Sequence, residues 1–375
     1  MTDGVAGTAG QSVPTVQREG FGRRSSSRPL LVYDGSANDL LGIVFTNFLL
    51  NLVTLGIYRF WARTRVRQYL WNRVKLDGDR FEYTGTGSEL FIGFLIVTFA
   101  ILMPYGVITQ FLVQLFADSP EMLAGFNLLA FLVILWLVGI GLYRARRYRL
   151  SRTRWRGIRA TLEGSSLTYG FAHLGWLLSL LPSLLWTLPG MRVNLARLIW
   201  NDTYFGGMRF RHEGGPGPLY RPFAVLWGIG FAGLIVIGLF FAAIDNIDVP
   251  AEDTELTGSS ILMIMLASAL LMFVLSTAFL AREFAYLAQC ISLGGVKFRF
   301  TATKGDFAAL VLGNVLIVLL TLGIGLAFTQ HRVFRFACAH LECIGELDYD
   351  AIVQSAAEAP RFGEGLADAF DVAAV

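Results

Sequence analysis

Asn47-Phe48-Leu49-Leu50-Asn51-Leu52-Val53-Thr54-Leu55-Gly56-Ile57 returns far downstream as Asn314-Val315-Leu316-Ile317-Val318-Leu319-Leu320-Thr321-Leu322-Gly323-Ile324. The two copies stay in register beyond the quoted stretch. Arg65-Val66 falls on Arg332-Val333, and Gly78 falls on Gly345. A worn middle copy ends in Leu188-Pro189-Gly190, where the outer copies have Thr-Leu-Gly. Internal repeats in an apolar chain are a common way to build membrane proteins. The repeat therefore speaks to architecture and names no reaction.

The surrounding composition agrees with a bilayer setting. Of 375 residues, 54% are hydrophobic and 16% charged, and the mean hydropathy is +0.55; soluble domains carry about 25% charged residues. Leu90–Phe116, Leu123–Tyr143, Phe223–Ile244 and Ser259–Leu280 contain no charge. Each is long enough for the roughly 20 residues that cross a bilayer core. The shorter apolar runs Leu40–Tyr58, Phe171–Met191 and Phe307–Thr329 belong to the three repeat copies.

Charge then orients the chain. Arg and Lys gather on the cytoplasmic side of a membrane protein. Eight arginines and no acid lie between Arg144 and Arg159, and seven basic residues lie between Arg59 and Arg80. The linkers Ala117–Met122 and Asp245–Thr257 are acidic without a base. The runs at 90–143 and 223–281 thus read as spanning hairpins with their turns outside. If Phe171–Met191 also crossed, the basic stretch Arg192–Arg221 would lie outside and the acidic 245–257 linker inside. The conflict vanishes if each repeat helix breaks at its Gly or Pro and returns on the same side. A full crossing by Leu40–Tyr58 remains open on length. The return segment Tyr58-Arg59-Phe60-Trp61-Ala62-Arg63-Thr64-Arg65-Val66-Arg67-Gln68-Tyr69 suits the interface, where arginines snorkel and aromatic rings anchor.

A second motif recurs as Gly78-Asp79-Arg80-Phe81-Glu82-Tyr83, Gly207-Met208-Arg209-Phe210-Arg211-His212 and Gly295-Val296-Lys297-Phe298-Arg299-Phe300. Leu162–Tyr169 is a looser copy, and Leu30–Gly35 resembles its end. Alternating large residues bounded by glycine read as short strands. Such strands are marginal alone, so a small shared cytoplasmic sheet is expected.

The fold expected is an all-α polytopic membrane protein. It has four full transmembrane helices, three repeated re-entrant or interfacial helical hairpins and a cap of short cytoplasmic β-strands. Residues 1–28 read as a disordered arm and 355–375 as an acidic tail. Between them, 29–354 form one membrane domain with repeat units near 30–85, 165–213 and 298–350. Both termini are expected in the cytoplasm.

No catalytic constellation stands out, and no cofactor or metal is called for. Cys338 and His340 point to different faces of a helix, so Cys338, His340 and Cys343 make a poor metal set. Three cysteines are too few for a disulfide framework. Polar residues at membrane depth are the better candidates. Asn47, Asn51, Thr54, Asn314 and Thr321 suggest a polar pathway, against the plainer role of interhelical hydrogen bonding. Arg63, Arg65, Arg67, Arg197 and Arg332 suggest contact with lipid phosphate or another anion, against snorkelling and topology. The expected partner is the bilayer with its anionic head groups. Nucleic acid is not expected, because the arginines flank membrane segments; the oligomeric state is open.

Three runs carry a family resemblance: Asn51–Arg63, Arg67-Gln68-Tyr69 and Leu76-Asp77-Gly78-Asp79-Arg80-Phe81-Glu82-Tyr83-Thr84-Gly85. Together they resemble the YjgN-like family of bacterial inner-membrane proteins, a family without an assigned function. The resemblance covers about residues 30–350, and the middle copy departs from the pattern at Leu188-Pro189-Gly190. It implies a polytopic inner-membrane protein and brings no catalytic residues. The expected function is passage of a small solute, an anion among the options. The first alternative is a non-enzymatic lipid-binding or membrane-organising protein, and the second an intramembrane enzyme.

Overall fold

The computed structural model describes residues 30–244, 254–345 and Ile352. The expected N-terminal arm, most of the acidic 245–257 linker and the acidic tail lie outside these residues.

The chain alternates helix pairs with strand pairs. Strand β1 (Leu31–Tyr33) leads into α1 (Ala37–Val53) and α2 (Arg59–Asn72), then the hairpin β2 (Val74–Leu76) and β3 (Asp79–Tyr83). A long pair follows. Its outgoing arm is α3 (Gly87–Val97), a π-helical turn at Thr98–Leu102 and α4 (Met103–Leu115); its return arm is α5 (Pro120–Arg152). The hairpin β4 (Thr153–Trp155) and β5 (Ile158–Leu162) precedes the short pair α6 (Ser166–Leu180) and α7 (Leu188–Asn201). Next come β6 (Thr203–Phe205) and β7 (Met208–His212), then the long pair α8 (Gly217–Ile244) and α9 (Thr254–Gln289). The chain closes with β8 (Ile291–Leu293), β9 (Val296–Phe300), the short pair α10 (Lys304–Leu320) and α11 (Leu326–His340), and β10 (Leu341–Ile344).

Three of the strand junctions share one local chemistry. Tyr33-Asp34-Gly35-Ser36, Tyr83-Thr84-Gly85-Thr86 and Leu162-Glu163-Gly164-Ser165 each end a strand, pass a glycine and supply a helix cap. A side chain at Gly35 or Gly85 would run into the Tyr33 or Tyr83 ring. Thr86 and Thr303 form capping boxes with Glu89 and Asp306, which satisfy amides that a helix start leaves open. The four complete strand hairpins have three residues, a two-residue turn and five residues. Asp77-Gly78 and Arg156-Gly157 take positive φ at both turn positions, the geometry that matches strand twist.

All ten strands form one antiparallel sheet in chain order, with Phe81 opposite Trp155, Phe205 opposite Ala160 and Phe210 opposite Leu293. One face is apolar and largely buried, with Val74, Trp155, Leu293 and Val296 nearly inaccessible. The other carries exposed Arg80, Arg154, Arg209, Arg211, Lys297 and Arg299. The sheet curls until its ends meet, and Leu30 N–H donates to the Leu341 carbonyl at 3.3 Å. Tyr33 and His331 close the same seam, with Oη 2.8 Å from Nδ1. The helices follow this ring. α2 packs on α3, α5 on α6, α7 on α8, α9 on α10, and α11 on α1.

Several expectations are corrected here. The label all-α gives way to ten strands in a nearly closed barrel, because each predicted strand is preceded by a three-residue partner too short to show alternation. The looser strand copy is Ile158–Leu162, and Ser166–Tyr169 is already helix. The middle break lies at Ser183-Leu184-Leu185, where φ is +50° and +68°; Leu188-Pro189-Gly190 starts α7, as Pro suits the first helical turn. Four helices are long and apolar enough to cross a membrane: Gly87–Leu115, Pro120–Arg152, Gly217–Leu239 and Leu262–Gln289.

Candidate functional site: an arginine belt between helices and sheet

The return helix of every pair ends at the sheet and carries arginine near that end. Arg65 on α2, Arg144 on α5, Arg192 on α7, Arg282 on α9 and Arg335 on α11 are all exposed. Each lies five to nine residues before the end of its helix. At 1.5 Å per residue they form a belt about 7–14 Å from the strands. Beyond the belt the helices expose hydrocarbon, including Leu52, Val53, Leu128, Leu129, Leu270 and Leu319.

Arginines of the same layer also hold the ring together, Arg192 of the belt among them. Arg147 donates to the carbonyls of Leu162 (2.7 Å) and Gly164, and Arg197 donates to Gly214 (2.5 Å). Gln68 does the same to Gly85 at 3.1 Å. These ties fix a return helix to the junction that starts the next pair. Arg146 covers the Trp200 ring at 4.8 Å, and Arg152 pairs with Glu89 at 2.6 Å. Arg192 pairs with Glu283, whose side chain is nearly inaccessible, at 2.6 Å and so joins α7 to α9.

Of the predicted arginines, Arg65 stands exposed on the belt, with its guanidinium 5.7 Å from the Tyr58 ring centre. Arg63 and Arg67 are half-buried beside it. Arg197 binds Gly214 as above, and Arg332 reaches the Ala309 carbonyl at 3.4 Å, filling space left by Gly313. Arg144, Arg192, Arg282 and Arg335 were missed, because their local sequences differ. Their shared signal is the distance back from a strand hairpin.

The predicted polar residues are not gathered at one place. Asn47 donates to the Ala62 carbonyl at 3.4 Å, tying α1 to α2, and Asn314 lies on α10. The Oδ1 atoms of Asn47, Asn51 and Asn314 are buried and have no hydrogen-bond partner among the described residues. Thr54 and Thr321 cap the helix breaks. Thr54 Oγ1 donates to Leu50 O (2.7 Å) and accepts from Tyr58 N (3.0 Å); Thr321 Oγ1 donates to Ile317 O (2.6 Å) and accepts from Gly325 N (2.8 Å). Burial holds the Cys343 thiol above its ordinary range and depresses His212 on β7. Among the described residues, no group of three or more His, Cys, Asp or Glu side chains is placed to hold a metal.

Spanning helix hairpins on a strand ring, with arginines at the junction, define a polytopic membrane protein. The chain belongs to the family of bacterial proteins of unknown function designated DUF898, whose model matches residues 28–369. It is 40% identical over 67 residues to inner membrane protein YjgN of Salmonella typhimurium, 18% of this chain and 17% of that protein. It is 29% identical over 137 residues to inner membrane protein YjgN of Escherichia coli K12, 36% of this chain and 31% of that protein. The matched stretches thus span about a third or less of these relatives. No solved structure matches the chain.

Proposed function

We propose that this protein sits in the bacterial inner membrane and binds lipid phosphate through the arginine belt, organising lipid around a ring of hairpins without catalysing a reaction. The exposed arginines on the return helices carry this reading: Arg65, Arg144, Arg282 and Arg335, with Arg192 already shared with Glu283. Guanidinium binds phosphate bidentately and keeps its charge at any physiological pH. Helix length gives the depth. The 33 residues of α5 reach about 50 Å, against about 30 Å of hydrocarbon, so its arginine-rich end lies in the head-group layer. α1 and α2, of 17 and 14 residues, reach only about 21–26 Å from the sheet, which supports a re-entrant pair. The tips support this placement: Leu55 is 93% and Leu322 92% exposed, as suits a turn in hydrocarbon. Positive residues at the sheet end support a cytoplasmic barrel and cytoplasmic termini.

The test is lipid retention by the full-length protein purified in mild detergent. Arg144→Gln, Arg282→Gln and Arg335→Gln combined should retain less than about half the phospholipid of the parent, given about 1 kcal/mol per basic residue near a charged surface. Equal amount and composition of lipid would sink the proposal.

Solute passage remains a second reading, favoured by the unpartnered Oδ1 atoms of Asn47, Asn51 and Asn314. Joint Asn47→Leu and Asn314→Leu substitution that left every flux assay unchanged would remove its support.

A further inference from the structure

The first short pair holds an open cleft of about 550 Å³ whose lining changes along its length. On α1 the lining residues are Asp39, Gly42, Ile43 and Thr46. Asp39, Gly42 and Thr46 continue as Leu49 and Val53, spaced three and four residues apart and therefore on one helix face. From sheet to tip that face runs carboxylate, glycine, hydroxyl, hydrocarbon. α2 supplies Asn72, Tyr69, Gln68 and Arg65 to the opposite wall.

Heights within the cleft are set by helix rise. Asp39 lies two residues into α1 and Arg65 seven residues before the end of α2, so the Arg65 backbone is about 7 Å nearer the helix tips than that of Asp39. Leu49, 44% exposed, and Val53, 79% exposed, lie deeper still. Asp39 Oδ2 takes Arg73 at 3.3 Å, and no protein partner of Oδ1 is found among the described residues. Among the described residues Arg65 has no protein hydrogen bond, and its guanidinium lies 5.7 Å from the Tyr58 ring centre.

This order of charges matches one class of lipid. In an amine-bearing zwitterionic phospholipid the chains lie deepest, then the phosphate, then the ammonium group nearest water. The geometry points to the α1–α2 cleft as a binding site for such a head group, with phosphate on Arg65, ammonium on Asp39 and an acyl chain along Leu49 and Val53. The site rests on the lipid-phosphate reading above and adds selection for the amine. Gly42 leaves room, since a side chain there would meet nothing within 4 Å at present and would occupy the cleft.

The experiment uses the full-length protein in micelles doped with equal phosphatidylethanolamine and phosphatidylglycerol, with bound lipid counted by native mass spectrometry. The parent should favour phosphatidylethanolamine. Asp39→Asn should cut that preference about two- to fivefold, the size of an exposed ion pair. Arg65→Gln should lower both lipids. Soluble phosphoethanolamine should compete poorly, because it lacks the acyl chain; equal competition would place recognition in the head group alone and overturn the lipid assignment. An unchanged lipid ratio in Asp39→Asn, with lipid still bound, overturns the amine site and leaves the belt standing. Absence of bound phospholipid from the parent overturns the belt itself.

Discussion

One hydroxyl explains how a helix pair can reverse at an apolar tip. A turn leaves amides and carbonyls open, and lipid offers them nothing. Thr54 Oγ1 takes the open Tyr58 amide and is held by the Leu50 carbonyl, which already accepts the Thr54 amide, and Thr321 repeats both bonds on Gly325 and Ile317. Ser183 supplies the same pair in the middle turn, to Leu180 O and from Thr187 N. Thr54→Val keeps the shape and removes both bonds. It should destabilise the folded protein by about 1–3 kcal/mol, read as a lower melting temperature in a lipid nanodisc. Thr54→Ser should stay near the parent. Equal stability of the Val and parent proteins would show that the hydroxyl is dispensable. The outer turns were legible because Thr, Leu and Gly each meet a stated need: a cap, an apolar tip and a positive φ. The middle turn was not, because Leu184 and Leu185 occupy its left-handed positions, where leucine gives no signal.

The short helix pairs were legible as apolar runs with an Arg-rich return, but their depth was not, because depth depends on where the sheet begins. Their tips offer a test whose sign depends on the solvent. Leu55 sits at φ +50°, a conformation that asparagine tolerates better than leucine. In water Leu55→Asn should be neutral or mildly stabilising. In hydrocarbon the added amide should cost about 1–3 kcal/mol. The re-entrant account predicts lower thermal stability for Leu55→Asn in nanodiscs; equal or higher stability would place the tip in water. Strands β3, β7 and β9 were visible through alternation, whereas β2, β4, β6 and β8 have three residues each and show none. The belt was legible at Arg65, where arginine and aromatic residues interleave. It was hidden at Arg282, which follows a long apolar run and precedes a buried Glu283.

Ring closure has no local signature at all. Leu30 meets Leu341, and Tyr33 meets His331, across nearly the whole described chain. Three repeat copies, two long hairpins and scattered strand motifs were each readable. What was not readable is that all are versions of one unit, a helix pair followed by a strand pair, repeated until the last pair reaches the first. The consequence is topological: each helix pair leaves the sheet and comes back to it. Every strand turn must then lie on one side of the membrane, whatever the depth of each pair.

Cysteine accessibility in intact cells tests this directly, on a functional background lacking Cys290, Cys338 and Cys343. Single cysteines would replace Asp77, Arg156 and Lys297 around the sheet, Ser119 at a long-pair tip and Leu55 at a short-pair tip. A membrane-impermeant thiol reagent should label position 119 alone from outside. Positions 77, 156 and 297 should label only after the membrane is opened, and position 55 should resist both. Outside labelling at all three sheet positions would invert the orientation and keep the ring; outside labelling at one or two of them would show that a helix pair crosses without returning, and the single-sided ring would be wrong.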